Sequence, residues 1–327
     1  METISILPPE LIRMVIAAVI IISFLFLNAI MMGYAERKIA GHVQRRPGPM
    51  EVGSHGILQM VVDGVKLVGK ELLIPFNVDR TLFRVAPLLS FTPVILPLLV
   101  IPFSEKLQAR DLNLGLIFIV TMGSVNVMAL LVGGWGSNNK YSMFGAMRAV
   151  AQSIAYEIPI LLSLLAVALM CNTFSLKEIV GAQQNIWFVF LQPVAFIIYI
   201  VAGLAETNRN PFDLPEAESE LTAGFHTEYS GMGFSLFFIG EYTNMFIVAS
   251  LATVLFLGGW HGPHLPYGEY LGVIWFFLKV YFLLFLMIMV RWTYPRVRFD
   301  QLLNFAWKYL VPFSLVNLLI TAVLVKL

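Results

Sequence analysis

Residues 12–33 read IRMVIAAVIIISFLFLNAIMMG, and residues 34–38 read YAERK. The first string is apolar over the length needed to cross about 30 Å of hydrocarbon. It lacks a basic region ahead of it and runs into Glu36, Arg37 and Lys38 rather than a small-residue cleavage site. It therefore reads as a retained membrane anchor, not a signal peptide. Further apolar segments follow near residues 82–103, 112–133, 145–170, 186–206, 234–257, 270–290 and 308–325. The expected fold is all-α, a polytopic membrane protein with about eight spans, one membrane domain over residues 1–327. Composition agrees: 58% of residues are hydrophobic and mean hydropathy is +0.81, where soluble domains hold about 45–50% apolar residues.

Charge narrows the function classes. A net charge of +1 gives no basic field to capture nucleic acid. The single cysteine, Cys171, excludes an intrachain disulfide and any Cys-ligated cluster or zinc site built by this chain alone. Lys and Arg gather in loops 34–84, 134–148, 206–233 and 291–308, which hold 15 of them against five on the other side. The bias puts those loops in the cytoplasm and both termini outside.

Two of these loops carry more than a connection. In loop 34–80, Arg45-Arg46-Pro47-Gly48-Pro49 imposes an extended turn. Residues 55–73 then resume a helical period, with Ile57, Val61, Val65, Val68 and Leu72 on one stripe and Gln59, Asp63, Lys66 and Lys70 on another. The segment reads either as an amphipathic anchor among headgroups or as the wall of a crevice, with Asp63 and Lys66 facing a ligand or docked subunit. Loop 206–233 is acidic. Glu206, Asp213, Glu216, Glu218, Glu220 and Glu228 face only Arg209 as a counter-charge, so the loop is either strongly hydrated or part of a site that handles protons.

Ionisable groups inside spans cost about 2.5–3.5 kcal/mol each on insertion scales and point to function. Glu157 lies near the centre of the fourth span, just before Ile158-Pro159, where proline is expected to kink and hydrate the helix. Glu206 ends the fifth span, Glu241 lies about two turns into the sixth and Lys279 near the centre of the seventh. Glu157 and Lys279 could form a buried ion pair that fixes packing, and Glu206 and Glu241 could reach headgroup water. The sharper reading is a hydrated path of carboxyl groups from the acidic loop towards the midplane, close enough to pass charge.

Other signals are weak. His261 and His264 have no carboxylate or thiolate nearby in sequence to complete a metal shell and read as loop residues. Gly133-Gly134-Trp135-Gly136 lacks the Lys-Ser or Lys-Thr of a phosphate loop and reads as a flexible hinge. No dinucleotide fingerprint or internal repeat is evident.

Four stretches carry a family resemblance: GYAERKIAGHVQRRPGP (33–49), LAETNRNPFDLPEAESELTAGFHTEYSGM (204–232), GEYTNM (240–245) and RWTYPRVRFDQL (291–302). They resemble the membrane H-subunit family of respiratory complex I, the proton-pumping NADH:quinone oxidoreductase, from about residue 12 to the C-terminus. The resemblance implies a subunit without a redox centre in the bacterial inner membrane. It would bind no cofactor itself; quinone would be the substrate, with FMN and iron–sulfur clusters in partner subunits. Partners would be the peripheral-arm quinone-site and iron–sulfur subunits, small membrane subunits and antiporter-like subunits, besides membrane lipids. It further implies that the chain walls a quinone tunnel, with Arg37, Asp63, Lys66, Phe225, Glu228 and Arg291 as candidates for the tunnel and its mouth.

The mechanism expected couples quinone chemistry to charge movement. Charge created on quinone shifts the protonation of Asp213, Glu216, Glu218, Glu220 and Glu228, which relay it to Glu206, Glu241 and Glu157, with Lys279 counted among the relay groups. Arg296, Arg298 and Asp300 are candidates for docking the peripheral arm, against the plainer reading of a positive-inside border. Two other classes compete: the homologous membrane component of a membrane-bound hydrogenase, and a stand-alone ion transporter.

Overall fold

A computed structural model describes residues 9–215, 218–262 and 268–326, with the backbone alone for residues 9–14, 218–219 and 268–270. The helices are α1 (Pro9–Val43), α2 (Gln59–Gly69), α3 (Arg80–Ile95), α4 (Gly115–Gly136), α5 (Lys140–Cys171), α6 (Leu176–Ala182) and α7 (Phe188–Leu191). They continue as α8 (Pro193–Glu206), α9 (Glu218–Leu221), α10 (Gly231–Phe256), α11 (Gly268–Thr293), α12 (Phe299–Phe305) and α13 (Val311–Lys326). The described residues contain no strand. Seven helical stretches among them are long and apolar enough to cross a membrane: Val15–Val43, Arg80–Leu99, Gly115–Gly136, Lys140–Cys171, Gly231–Phe256, Leu271–Thr293 and Phe299–Lys326.

The expected fifth span, 186–206, is a broken helix rather than a continuous one. Gln192 leaves helical geometry at φ −130° and ψ 55°, and Pro193 starts the next helix, as a residue ahead of proline tends to do. The 14 residues of α8 extend about 21 Å at 1.5 Å per residue, short of a full crossing. A break inside a membrane protein holds only where neighbours satisfy the polar groups. Here Gln192 donates to Thr321 Oγ1 at 2.8 Å and accepts from Asn317 Nδ2 at 3.0 Å, both on α13.

Helix ends follow their sequence signals. Asp79 caps α3 by accepting from the Thr81 and Leu82 amides at 3.0 and 3.2 Å, and Asn139 caps α5 through the Tyr141 amide at 2.9 Å; each satisfies orphan donors of a first turn. The α5 helix continues unbroken through Pro159. Gly133-Gly134-Trp135-Gly136 is the last turn of α4 and not a hinge. Its glycines serve close packing: a Cβ on Gly134 would lie 2.3 Å from the Ala146 Cβ of α5.

The centre of the bundle is α10, whose apolar window is 83% buried against 22% for α1 and 17% for the last span. A helix buried on all sides presents its polar residues to other helices, not to lipid. That position decides what Glu241 and Tyr242, two residues in its third turn, are able to touch.

Candidate functional site

Polar residues gather where α1, α10 and α11 meet the loop after α8, on the side that carries the basic loops. Glu36, in the last turns of α1, is buried and accepts a hydrogen bond from the Tyr242 hydroxyl at 2.7 Å. It pairs with Arg291 at the end of α11 and lies 3.9 Å from Arg209. Arg209 reaches Glu241 at 3.1 Å and sits 4.6 Å from the centre of the Tyr242 ring, a cation held over a π face. Glu241 also meets His226 Nε2 at 3.2 Å. Glu36 is 6% exposed and Arg209 5%, and burial this deep demands that charges be paired.

Inward from Glu241 the carboxylates are joined by space. A small cavity of about 30 Å³ is lined by Glu241, Glu206, Asn208, Asn126, Ser90 and Asn244, among others. A second, of about 40 Å³, shares Glu206, Gly123, Asn126 and Asn244 and reaches Glu157. Glu206 stands at the junction of the two. The first has room and polar partners for a water or two, whereas the second is walled mostly by apolar side chains such as Val94, Ile119, Ile160 and Ile247. Glu157 closes the inner end, accepting a hydrogen bond from Ser124 of α4. Gly123 makes room for Glu206, since a Cβ there would lie 3.0 Å from the carboxylate.

Gln152 of α5 fixes the outer part of this arrangement. Its buried amide donates to the Ala205 carbonyl at 2.7 Å and the Phe212 carbonyl at 2.8 Å. The end of α8 and the loop that carries Arg209 are thereby tied to one point.

On the other flank of α1, Arg37 Nη1 lies 2.6 Å from Asp63 Oδ2 of α2, and Gln59 donates to Asp63 Oδ1 at 3.0 Å. Partial burial raises the Asp63 pKa, but the hydrogen bonds from Arg37 and Gln59 and the charges of Arg37 and Lys66 outweigh it and hold the carboxyl below its ordinary value. The α2 helix presents Asp63 to α1 while Val61, Val65 and Val68 are exposed. Gln59 and Asp63 of the polar stripe thus turn towards α1, Lys66 and Lys70 stay exposed, and the apolar stripe is an outward face.

The remaining expected site residues distribute as follows. Glu157, Glu206 and Glu241 share the two cavities. Asp213 sits beside them, 3.2 Å from Arg296, its pKa raised by burial. Glu220 pairs with Arg148, and Glu228 accepts from Asn139 at 2.6 Å. Glu216 lies outside the described residues, and for Glu218 only the backbone is described. Phe225 is fully buried and lines the first cavity. Lys66 is exposed, and Arg298 and Asp300 form an exposed pair at 3.9 Å.

Lys279 does not join Glu157. Its ammonium donates to the carbonyls of Leu257, Gly259 and His261 at 2.6, 2.9 and 2.5 Å, just beyond the far end of α10, and lies 4.4 Å from the Trp187 ring. Four and more turns of α10 separate that end from Glu241. Glu36, Arg209, His226 and Tyr242 belong to the site although sequence reasoning does not select them. The signals available are Glu36 at the edge of the first apolar run, Arg209 alone among acids, and Tyr242 directly after Glu241. Among the described residues no group of three or more His, Cys, Asp or Glu side chains is placed to hold a metal ion, and His264 lies outside them.

The profile of the NADH dehydrogenase family matches residues 16–322. The chain belongs to that family. A family member from Carboxydothermus hydrogenoformans, the H subunit of NADH-quinone oxidoreductase, is 50% identical over 312 residues, covering 94% of this chain and 88% of the relative. The protein of the same name from Desulfotalea psychrophila is 48% identical over 328 residues, covering 97% and 98%. That from Bacillus thuringiensis subsp. konkukian is 48% identical over 294 residues, covering 90% and 88%.

Proposed function

We propose that this chain is the membrane subunit of a proton-translocating NADH:quinone oxidoreductase, in which it guides quinone and passes the charge of quinone reduction into the membrane. Its relatives carry the name of the H subunit of NADH-quinone oxidoreductase over nearly the whole length. The basic loops face the cytoplasm, where the peripheral arm with its redox groups docks. Quinone moves along the wall made by α1 and α2, its tail against apolar surface and its head passing Arg37 and Asp63.

Reduction of quinone to quinol takes two electrons from the partner subunits and two protons. Negative charge appearing on the head before the protons arrive acts by Coulomb attraction and repulsion on charges nearby, strongly where screening is poor. Glu36, Arg291, Arg209 and Glu241 form the first stage that feels it. Arg209 is shared between two carboxylates, so a change at one alters its hold on the other. Glu206 and then Glu157 receive the change through the two cavities, and the antiporter-like partners move protons in response.

The observation that carries this reading is Glu206 standing in the walls of both cavities, between Glu241 and Glu157. The test is proton uptake or release per electron in sealed membrane vesicles holding the whole complex. Glu206→Gln and Glu157→Gln are each expected to lower that ratio. Full pumping per electron in both variants would overturn the relay, and ion conduction by the isolated chain in liposomes would favour a stand-alone transporter.

A further inference from the structure

On the basic side, the ends of α8 and α11 together with α12 enclose an open groove of about 770 Å³. Its walls are Ile200, Val201, Leu204, Val290, Val297 and Phe305, with Gln301 and Asn304 of α12 as polar lining. Tyr294 and Tyr309 line it as well and are 62% and 55% exposed. None of these residues takes part in the charge chain described above.

What surrounds the groove is specific. Residues 306–310 form a π-helical turn between α12 and α13, a distortion common at functional positions. It carries Trp307, Lys308 and Tyr309, all exposed. Trp and Tyr at this level are the residues that settle at the headgroup boundary of a membrane. Arg298, next to the lining residue Val297, is 80% exposed, and its contact with Asp300 is 3.9 Å long with both partners in solvent, a pair that holds little. The groove therefore has an apolar floor and an aromatic edge, and the exposed cations Arg298 and Lys308 adjoin its lining residues Val297 and Tyr309 in sequence without lining it themselves. Exposed cations beside an apolar cleft between membrane helices on that side suit an anionic headgroup.

We propose that the groove holds one phospholipid of the loop-side leaflet, its acyl chains along α8 and α11 and its anionic phosphodiester headgroup at Arg298 and Lys308. The lipid would buttress the loop after α8 from behind. Pro211 and Phe212 line the groove, the Pro211 carbonyl accepts from the Val297 amide at 3.0 Å, and Asp213 next to them pairs with Arg296. Arg209, at the heart of the buried charges, lies two residues upstream of Pro211.

The experiment is quantitative lipid mass spectrometry of the intact complex purified in mild detergent, wild type against Arg298→Glu/Lys308→Glu and, separately, Asn304→Trp, which fills the groove without touching charge. The expected result is loss of a tightly retained anionic phospholipid from both variants. Added phosphatidylglycerol should restore it in wild-type complex stripped by detergent, and phosphatidylcholine should not. Equal retention in all three proteins would overturn the proposal. So would equal rebinding of phosphatidylcholine, or a photo-crosslinker at Phe305 that captures a partner subunit in place of lipid. Loss of the peripheral arm from the charge-reversed variant with lipid unchanged would also overturn it and assign Arg298 to subunit docking.

Discussion

The guanidinium of Arg209, in the loop after α8, lies 3.1 Å from the carboxylate of Glu241 on α10. Because Arg209 also stands 3.9 Å from Glu36, its removal leaves the buried Glu36 and the partly buried Glu241 short of a counter-charge. Arg209→Leu is expected to destabilise the fold by roughly 3–5 kcal/mol, the usual cost of breaking a buried pair from one side. Arg209→Lys should recover only part, because an ammonium cannot span two carboxylates and stack on Tyr242 at once. Thermal unfolding of the purified complex, with subunit retention on a native gel, measures both.

Gly123 sets the room available to Glu206. A methyl at that position would press on the carboxylate at 3.0 Å, closer than nearly all real contacts of a Cβ. Gly123→Ala is expected to leave assembly intact and to lower quinone-reductase-linked proton pumping, and Gly123→Val to lower it further. The readout is pumping per electron beside the rate of quinone reduction, since a packing fault alone would lower complex yield and spare the ratio.

The α1–α2 contact should respond to acid. Asp63 has its folded pKa below the unfolded value, so its pair with Arg37 contributes fully above the ordinary carboxylate range and is lost as pH falls through the lowered folded value. Hydrogen exchange of the α2 amides should stay constant from neutral pH to about pH 4 and rise below it, after correction for intrinsic rates. Asp63→Asn should remove that acid step.

Lys279 is expected to matter for stability more than for pumping. Lys279→Met deletes donors to three carbonyls beyond α10, leaving acceptors unpaired at a cost of about 1–3 kcal/mol each where no water reaches them. The variant should melt at lower temperature while complexes that do assemble keep their protons per electron. A fall in that ratio at unchanged melting temperature would return Lys279 to the relay.

Much of the bundle is legible because hydropathy alone identifies helices long enough for a membrane. Glu157, Glu206 and Glu241 stand out for the same reason: a carboxylate in an apolar run is conspicuous. Arg209 and His226 do not, since a charged residue in a polar loop looks ordinary until the fold buries it. Lys279 misleads in the opposite direction. Its partners are backbone carbonyls, which every sequence has and none displays. The fifth span reads as continuous although Gln192-Pro193 marks the break; residues on both sides are apolar, and hydropathy does not register a turn of the chain between them.

Glu36 and Arg37 are neighbours in sequence, yet one turns to Tyr242, Arg209 and Arg291 and the other to Asp63. Successive residues on a helix point about 100° apart, so a single peptide unit of α1 divides the interior from the crevice. A rotation of α1 about its own axis would move both pairs at once, since they leave the helix from adjacent residues.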